Sequence, residues 1–306
     1  SPTGETGGLV YMAMDWRKKD YEKIQYVTTF LGVHFQHAKA LHGGCLSVDN
    51  RKVDIQECSF SHCHATASGG AIAVSGDSVL ISTLTTFQNN TAATDSAGGD
   101  GCTEVMRLSD VIGGGAITAP TPPASCPGKS PFQTNPAITL SQNTFQLNTA
   151  ACASGGSLHM HQVLLTVVDS TFKESSARSG GAVFLSKSTA TLSGSLFEGN
   201  HATFANGGAL EILGTSTSVS DCELKENDSP GMGGAMFFVF SDVSMIESRF
   251  MSNRAASGGA MSLGFSSTLV SFTNTFKGNK AELHGGALLL SNVNQWSSEK
   301  DYFDLN

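Results

Sequence analysis

Two short signatures alternate along nearly the whole chain, and their spacing restricts the fold more than any other feature. The first is Gly-Gly followed by a small residue and an aliphatic. It runs through nine copies, from Gly43-Gly44-Cys45-Leu46 and Gly69-Gly70-Ala71-Ile72 to Gly285-Gly286-Ala287-Leu288. The second is Phe-x-x-Asn, as in Phe87/Asn90, Phe145/Asn148, Phe197/Asn200, Phe250/Asn253, Phe276/Asn279 and Phe303/Asn306. Weaker copies stand at Phe35/Ala38, Phe60/Cys63, Phe172/Ser175 and Leu224/Asn227. Successive Phe positions are 25 to 27 residues apart in all but one interval. From Gly-Gly to the next Phe the distance is 17 or 18 residues in eight of nine copies. Such regularity marks one structural unit repeated.

Within a unit the aliphatics alternate, as at Leu210/Ile212 and Val183/Leu185 after the glycines, and again at Leu165/Val167 and Val243/Met245 before the Phe. A period of two means strands. A unit of two or three short strands, with no helix, cannot bury its apolar side alone and must stack on copies of itself. The expected fold is therefore all-β, a right-handed single-stranded parallel β-helix of about ten coils. The Phe of each coil then stacks on its neighbours, and the Asn forms a buried hydrogen-bond ladder through a turn, since an unpaired buried amide is costly.

Two intervals exceed the period and predict insertion loops at 93–113 and 120–136, the second rich in proline; a charged stretch at 16–23 predicts a third loop. Insertions in a solenoid become surface loops, often on a functional face. The chain also stops in mid-coil, at Phe303-Asp304-Leu305-Asn306. The expectation is one β-helix segment, 1–306, of a longer protein. Cys102 and Cys126 lie in the two long insertions, where a covalent tie gains most, and are expected to pair.

Charged residues are 14% of the chain and the net charge is −8, which leaves no basic patch to neutralise nucleic-acid phosphates. The strongest apolar run, Ala235 to Phe240, is strand-length, far short of the ~18 residues that span a bilayer. Seven cysteines permit disulfides, and the odd count leaves at least one thiol unpaired within the chain.

Gly-Gly-Ala-[Ile/Leu/Val] alternating with Phe-x-x-Asn resembles the repeats of the polymorphic outer-membrane protein family, the chlamydial autotransporters, with related repeats in large surface proteins of protists and algae. The resemblance covers nearly the whole chain. It implies a β-helical passenger displayed outside the cell, with adhesion as its role. The expected function is accordingly a non-enzymatic extracellular solenoid, an adhesin passenger or a building block of a surface filament or coat. Its expected partners are other subunits of such an assembly, or a receptor protein or glycan, with no cofactor.

The rival class is a polysaccharide-binding or polysaccharide-cleaving β-helix, whose sites need converging carboxylates. Asp221 and Glu247, each three residues before the Phe or its equivalent, are the pair that falls in adjacent coils; no basic residue joins them in that column. His37 and His62, each two residues after a Phe, should stack, and imidazoles could ligate a metal, although stacked surface histidines are the commoner outcome. Asn89 and Asn227 stand in glycosylation sequons, and Asn89, outside the ladder column, is the better acceptor. Finally, the residue between the two inward aliphatics after each Gly-Gly should face outward. There Phe184, Phe237 and Leu289 recur at every second coil, which predicts an apolar contact strip.

Overall fold

The computed structural model describes residues 10–13, 27–92, 114–119 and 135–306. They form nine four-strand coils and three strands of a tenth, laid into three parallel sheets of ten strands and one of nine. One coil shows the plan. Leu210–Leu213 lies in the first sheet, Ser216–Ser220 in the second, Glu223–Lys225 in the third and Asp228–Met232 in the fourth. Each strand pairs with its equivalents one coil away, so that Leu210 lies between Val183 and Met236.

Alternation within the unit pointed to two or three strands, and there are four. The inward positions of the fourth carry Ala40, Ala65, Ala92, Ala150, Ala177 and Ala202, all buried, in place of the large apolar side chains that announce the other sheets. The interior is otherwise as the alternation implies. Phe60, Phe87, Phe145, Phe172 and Phe197 stack with centroids 4.7 to 5.0 Å apart, the spacing that parallel strands impose. Phe87 lies directly on Phe145, and Asn90 bonds Asn148, 58 residues away. The stack is therefore continuous across both long intervals. The expected loops at 16–23 and 93–113, and all but the last two residues of 120–136, lie outside the described residues.

The corners explain the repeat. At the corner after the third sheet, Asn227 donates from its amide nitrogen to Phe197 O and to Asn253 Oδ1, each at 3.0 Å, while its own Oδ1 accepts from Asn200. Asn90, Asn200, Asn253 and Asn279 repeat the arrangement, Asn148 donates instead to Phe87 O and Ser157 Oγ, and all are buried. A second polar ladder, Asn143, Ser170, Ser195, Ser248 and Asn274, turns the chain between the second and third sheets, and Ser188, Thr215, Ser241 and Ser267 turn it between the first and second. Each of these three corners also holds a residue with φ near +50°, for example Phe240, Glu247 and Ser252 of a single coil. At the fourth corner the chain needs glycine for two reasons. Gly207 has φ +65°, and a Cβ on Gly208 would sit 2.1 Å from the carbonyl oxygen of Gly234 in the next coil.

Candidate functional site

Asp221 and Glu247 occupy the positive-φ corner between the second and third sheets in successive coils. Arg249, two residues after Glu247, stands on the outward face of the third sheet, and the three line a shallow open hollow of about 290 Å³ with Ser248, Thr273 and Thr275. Arg249 belongs to a different column from the carboxylates, so aligning columns did not find it; its outward position in the strand Arg249–Met251 does. All three charged side chains are exposed. Two carboxylates and a guanidinium on an open surface can hydrogen-bond hydroxyl groups or pair with a charged partner side chain, but the hollow lacks the enclosure that shields a reacting group from water.

The outward column of the first sheet is a different environment from the one alternation implies. It points away from the core, yet Ser47, Ala73, Thr118, His159, Glu211, Phe237 and Ser262 are all buried. The ends of the fourth-sheet strands, just before Gly-Gly, pack over it: the His159 ring donates from Nδ1 to Ser154 O at 3.1 Å, and Ser262 Oγ contacts Met232 Sδ at 3.8 Å. Of the expected contact strip, Phe237 is only 8% exposed and Phe184 and Leu289 are half-buried. Phe184 is flanked in register by His159, whose ring it stacks on at 4.7 Å, and by Glu211. Phe237 flanks Glu211 on the other side. Enclosed between two phenyl rings, the Glu211 carboxyl is pushed up by burial to about 8. Burial likewise holds His159 down at about 4, against its bond to Ser154 and with the charge of His161 adding a smaller push in the same direction.

The comparisons with known proteins bear on the fold. The family model of a right-handed β-helix region matches residues 132–299, more than half of the chain. The chain belongs to the right-handed β-helix family. A stretch of 167 residues, 50% of this β-helix chain, is 31% identical to Metabotropic glutamate receptor-like protein R of Dictyostelium discoideum, of which the chain spans 10%. The Azotobacter vinelandii mannuronan C-5 epimerase AlgE4 A-module matches 91% of this chain and 88% of its own with a TM-score of 0.31 and 11% identity, too slight a likeness to carry any argument about this surface.

The remaining expected residues of the β-helix are placed as follows. His37 and His62 stack at 4.9 Å, as expected, both at positive-φ corners. No group of three or more metal-ligating side chains gathers among the described residues. Asn89 is half-buried at a corner, whereas Asn227 is fully buried in the ladder. Cys45 and Cys63 form a disulfide that the sequence reading missed. The signal was present. The residue after Gly-Gly faces the ladder residue across the coil, so Cys45 and Cys63 replace the usual Ala and Asn together, just as Ser157 and Ser175 do, whose hydroxyls bond at 2.8 Å. Cys58 and Cys222 are free and buried. Cys102 and Cys126 lie outside the described residues. Cys152 is itself disulfide-bonded.

Proposed function

We propose that this β-helix is a non-enzymatic, extracellular rod that presents its flat outer faces to other proteins, as an adhesin-like or receptor-associated segment. The observation that carries the reading is the Cys45–Cys63 disulfide, set in the sealed core of an otherwise hydrogen-bonded solenoid; such bonds persist in oxidising compartments. Three further points support it. The repeats resemble those of polymorphic outer-membrane proteins, which are displayed passengers. A relative over half the chain carries a receptor-like name. And ten coils at about 4.8 Å each make a stiff rod of roughly 48 Å, suited to holding a contact surface away from a membrane or to end-to-end assembly.

The test is location and redox state together. An epitope-tagged full-length protein should be labelled on intact, unpermeabilised cells, and alkylation before reduction should leave Cys45 and Cys63 unmodified. A protein protected from surface reagents, with both thiols alkylated, overturns the reading. The second reading, a polysaccharide-processing β-helix, rests on the Asp221, Glu247 and Arg249 hollow. Turnover of acidic glycans that disappears in Asp221→Asn with Glu247→Gln would replace the first reading by the second.

A further inference from the structure

Two phenylalanines stand at a corner that in other coils carries small or polar residues. Where the chain passes from the first sheet to the second it adopts positive φ, and it places Asn50, Gly76, Gln162, Lys187, Gly214 and Asn292 there in other coils, glycine and asparagine being the types that tolerate this conformation best. In two successive coils the position is instead Phe240, φ 52°, and Phe265, φ 43°. Neither ring is buried in exchange. They are 64% and 57% exposed and stack on each other at 6.0 Å. On the adjoining outer face of the second sheet, Val270 and Ile246 are also exposed, and Ile246 pairs in register with the half-buried Phe272. Single exposed apolar residues are ordinary, but five on two adjacent coils, divided only by Asp242 and Thr268, are a patch. Acids border it: Asp242 beside Phe240, and Glu247 and Asp221 at the hollow that begins where Ile246 ends. Among the described residues none of these three carboxylates is in an ion pair.

From this we infer that the second-sheet face over these coils is a docking site for a protein segment that presents apolar side chains flanked by lysine or arginine. The apolar side chains would lie on Phe240, Phe265 and Val270, with basic side chains meeting Asp242, which lies between them, and the Asp221 and Glu247 carboxylates, which share their hollow with Arg249. Paired exposed aromatic rings are the kind of side chain that anchors a protein contact, and the unpaired carboxylates select the charge of what binds. The inference rests on the reading of this chain as a contact surface and names the chemistry of its partner.

The experiment compares two synthetic 12-residue peptides of the same Leu and Phe content, one with Lys at the remaining positions and one with Glu, titrated against the chain by fluorescence anisotropy. The Lys peptide should bind at least tenfold tighter than the Glu peptide. Phe240→Asn with Phe265→Asn should weaken that binding at least tenfold while leaving the melting temperature unchanged or raised, since Asn suits the corner better than Phe. Asp242→Asn with Glu247→Gln should weaken it too and flatten its salt dependence. Equal binding by the two peptides, or full binding by the double Asn variant, overturns the proposal. A variant that melts lower shows instead that the two rings are structural, which overturns it as well. None of these results depends on where the protein resides, so failure here is distinct from failure of the surface location.

Discussion

At the scale of single residues, the buried polar groups set both the fold and its pH response. Asn227 makes four hydrogen bonds through one side chain. Asn227→Ala strips partners from two nitrogens of Asn200 and from the carbonyl of Phe197, and each buried orphan costs about 1–3 kcal/mol. The expected loss is at least about 3 kcal/mol in urea unfolding. Asn227→Ser should lose less, because the ladder already accepts a serine at Ser175. Glu211 and His159 control the pH dependence in opposite directions. The folded carboxyl of Glu211 sits above its ordinary value, so its stabilisation is complete below pH 4.5 and is lost as pH rises towards about 8. His159 is depressed when folded, so its contribution is complete above pH 6.5 and is lost as pH falls towards about 4. The two offset each other between pH 4.5 and 6.5. Above that only Glu211 still acts, with a slope of at most about 1.4 kcal/mol per pH unit. Unfolding measured from pH 5 to pH 9 should therefore show stability falling above neutrality. Glu211→Gln should abolish the fall, and an unchanged profile would mean that the carboxyl is not enclosed as described.

At the scale of elements, what was legible in the sequence depended on whether a position repeats with a distinctive side chain. Gly-Gly and Phe-x-x-Asn announced the stack, because only glycine fits where Gly208 meets Gly234 and flat rings stack at the coil spacing along the Phe column. The fourth sheet was invisible because alanine and serine carry no strand signature. The cover over the first sheet was invisible for another reason. It is built by the bulged ends of the fourth-sheet strands, at residues such as Ser154 and Met232, so alternation told correctly which way Phe237 points and nothing about what lies above it. Arg249 was missed because the carboxylate column was read alone, although the strand beside it places the guanidinium in the same hollow. The glycine assignments give a sharp test. Gly208→Ala puts a methyl group 2.1 Å from a backbone carbonyl of the next coil, with no flexible neighbour to give way. It should abolish folding or cost more than about 4 kcal/mol. Gly214→Ala, at positive φ, unlike Gly208, but with nothing within 4 Å of the new methyl group, should cost only about 1–2 kcal/mol. Denaturant midpoints for the two variants measure the difference; similar values would show that stacking distance does not govern the Gly-Gly corner.

At the scale of the molecule, each coil touches only its two neighbours, so the rod should behave as a linear array in which coils can be removed whole. The repeat supplies a clean excision. Deleting residues 208–233 joins Gly207 to Gly234 and removes one complete coil of 26 residues. The surfaces that then meet are matched. Phe197 falls on Phe250 in place of Leu224, Asn200 meets Asn253 in the ladder, and Ser195 meets Ser248 where the buried Cys222 had interrupted the hydroxyl series. In the first sheet Phe184 lands on Phe237, and the carboxyl that lay between them is gone. The shortened chain should keep its β-sheet circular dichroism and shorten by about 4.8 Å in small-angle scattering. It should also lose the fall in stability above neutral pH, since Glu211 leaves with the coil. It loses Asp221 as well, and with it half of the acidic hollow, so binding of the Lys peptide should weaken while the Phe240 and Phe265 ledge remains. Collapse of the β signal would show that neighbouring coils hold contents fitted to one another beyond the shared repeat, and that the stack is not the interchangeable array its spacing implies.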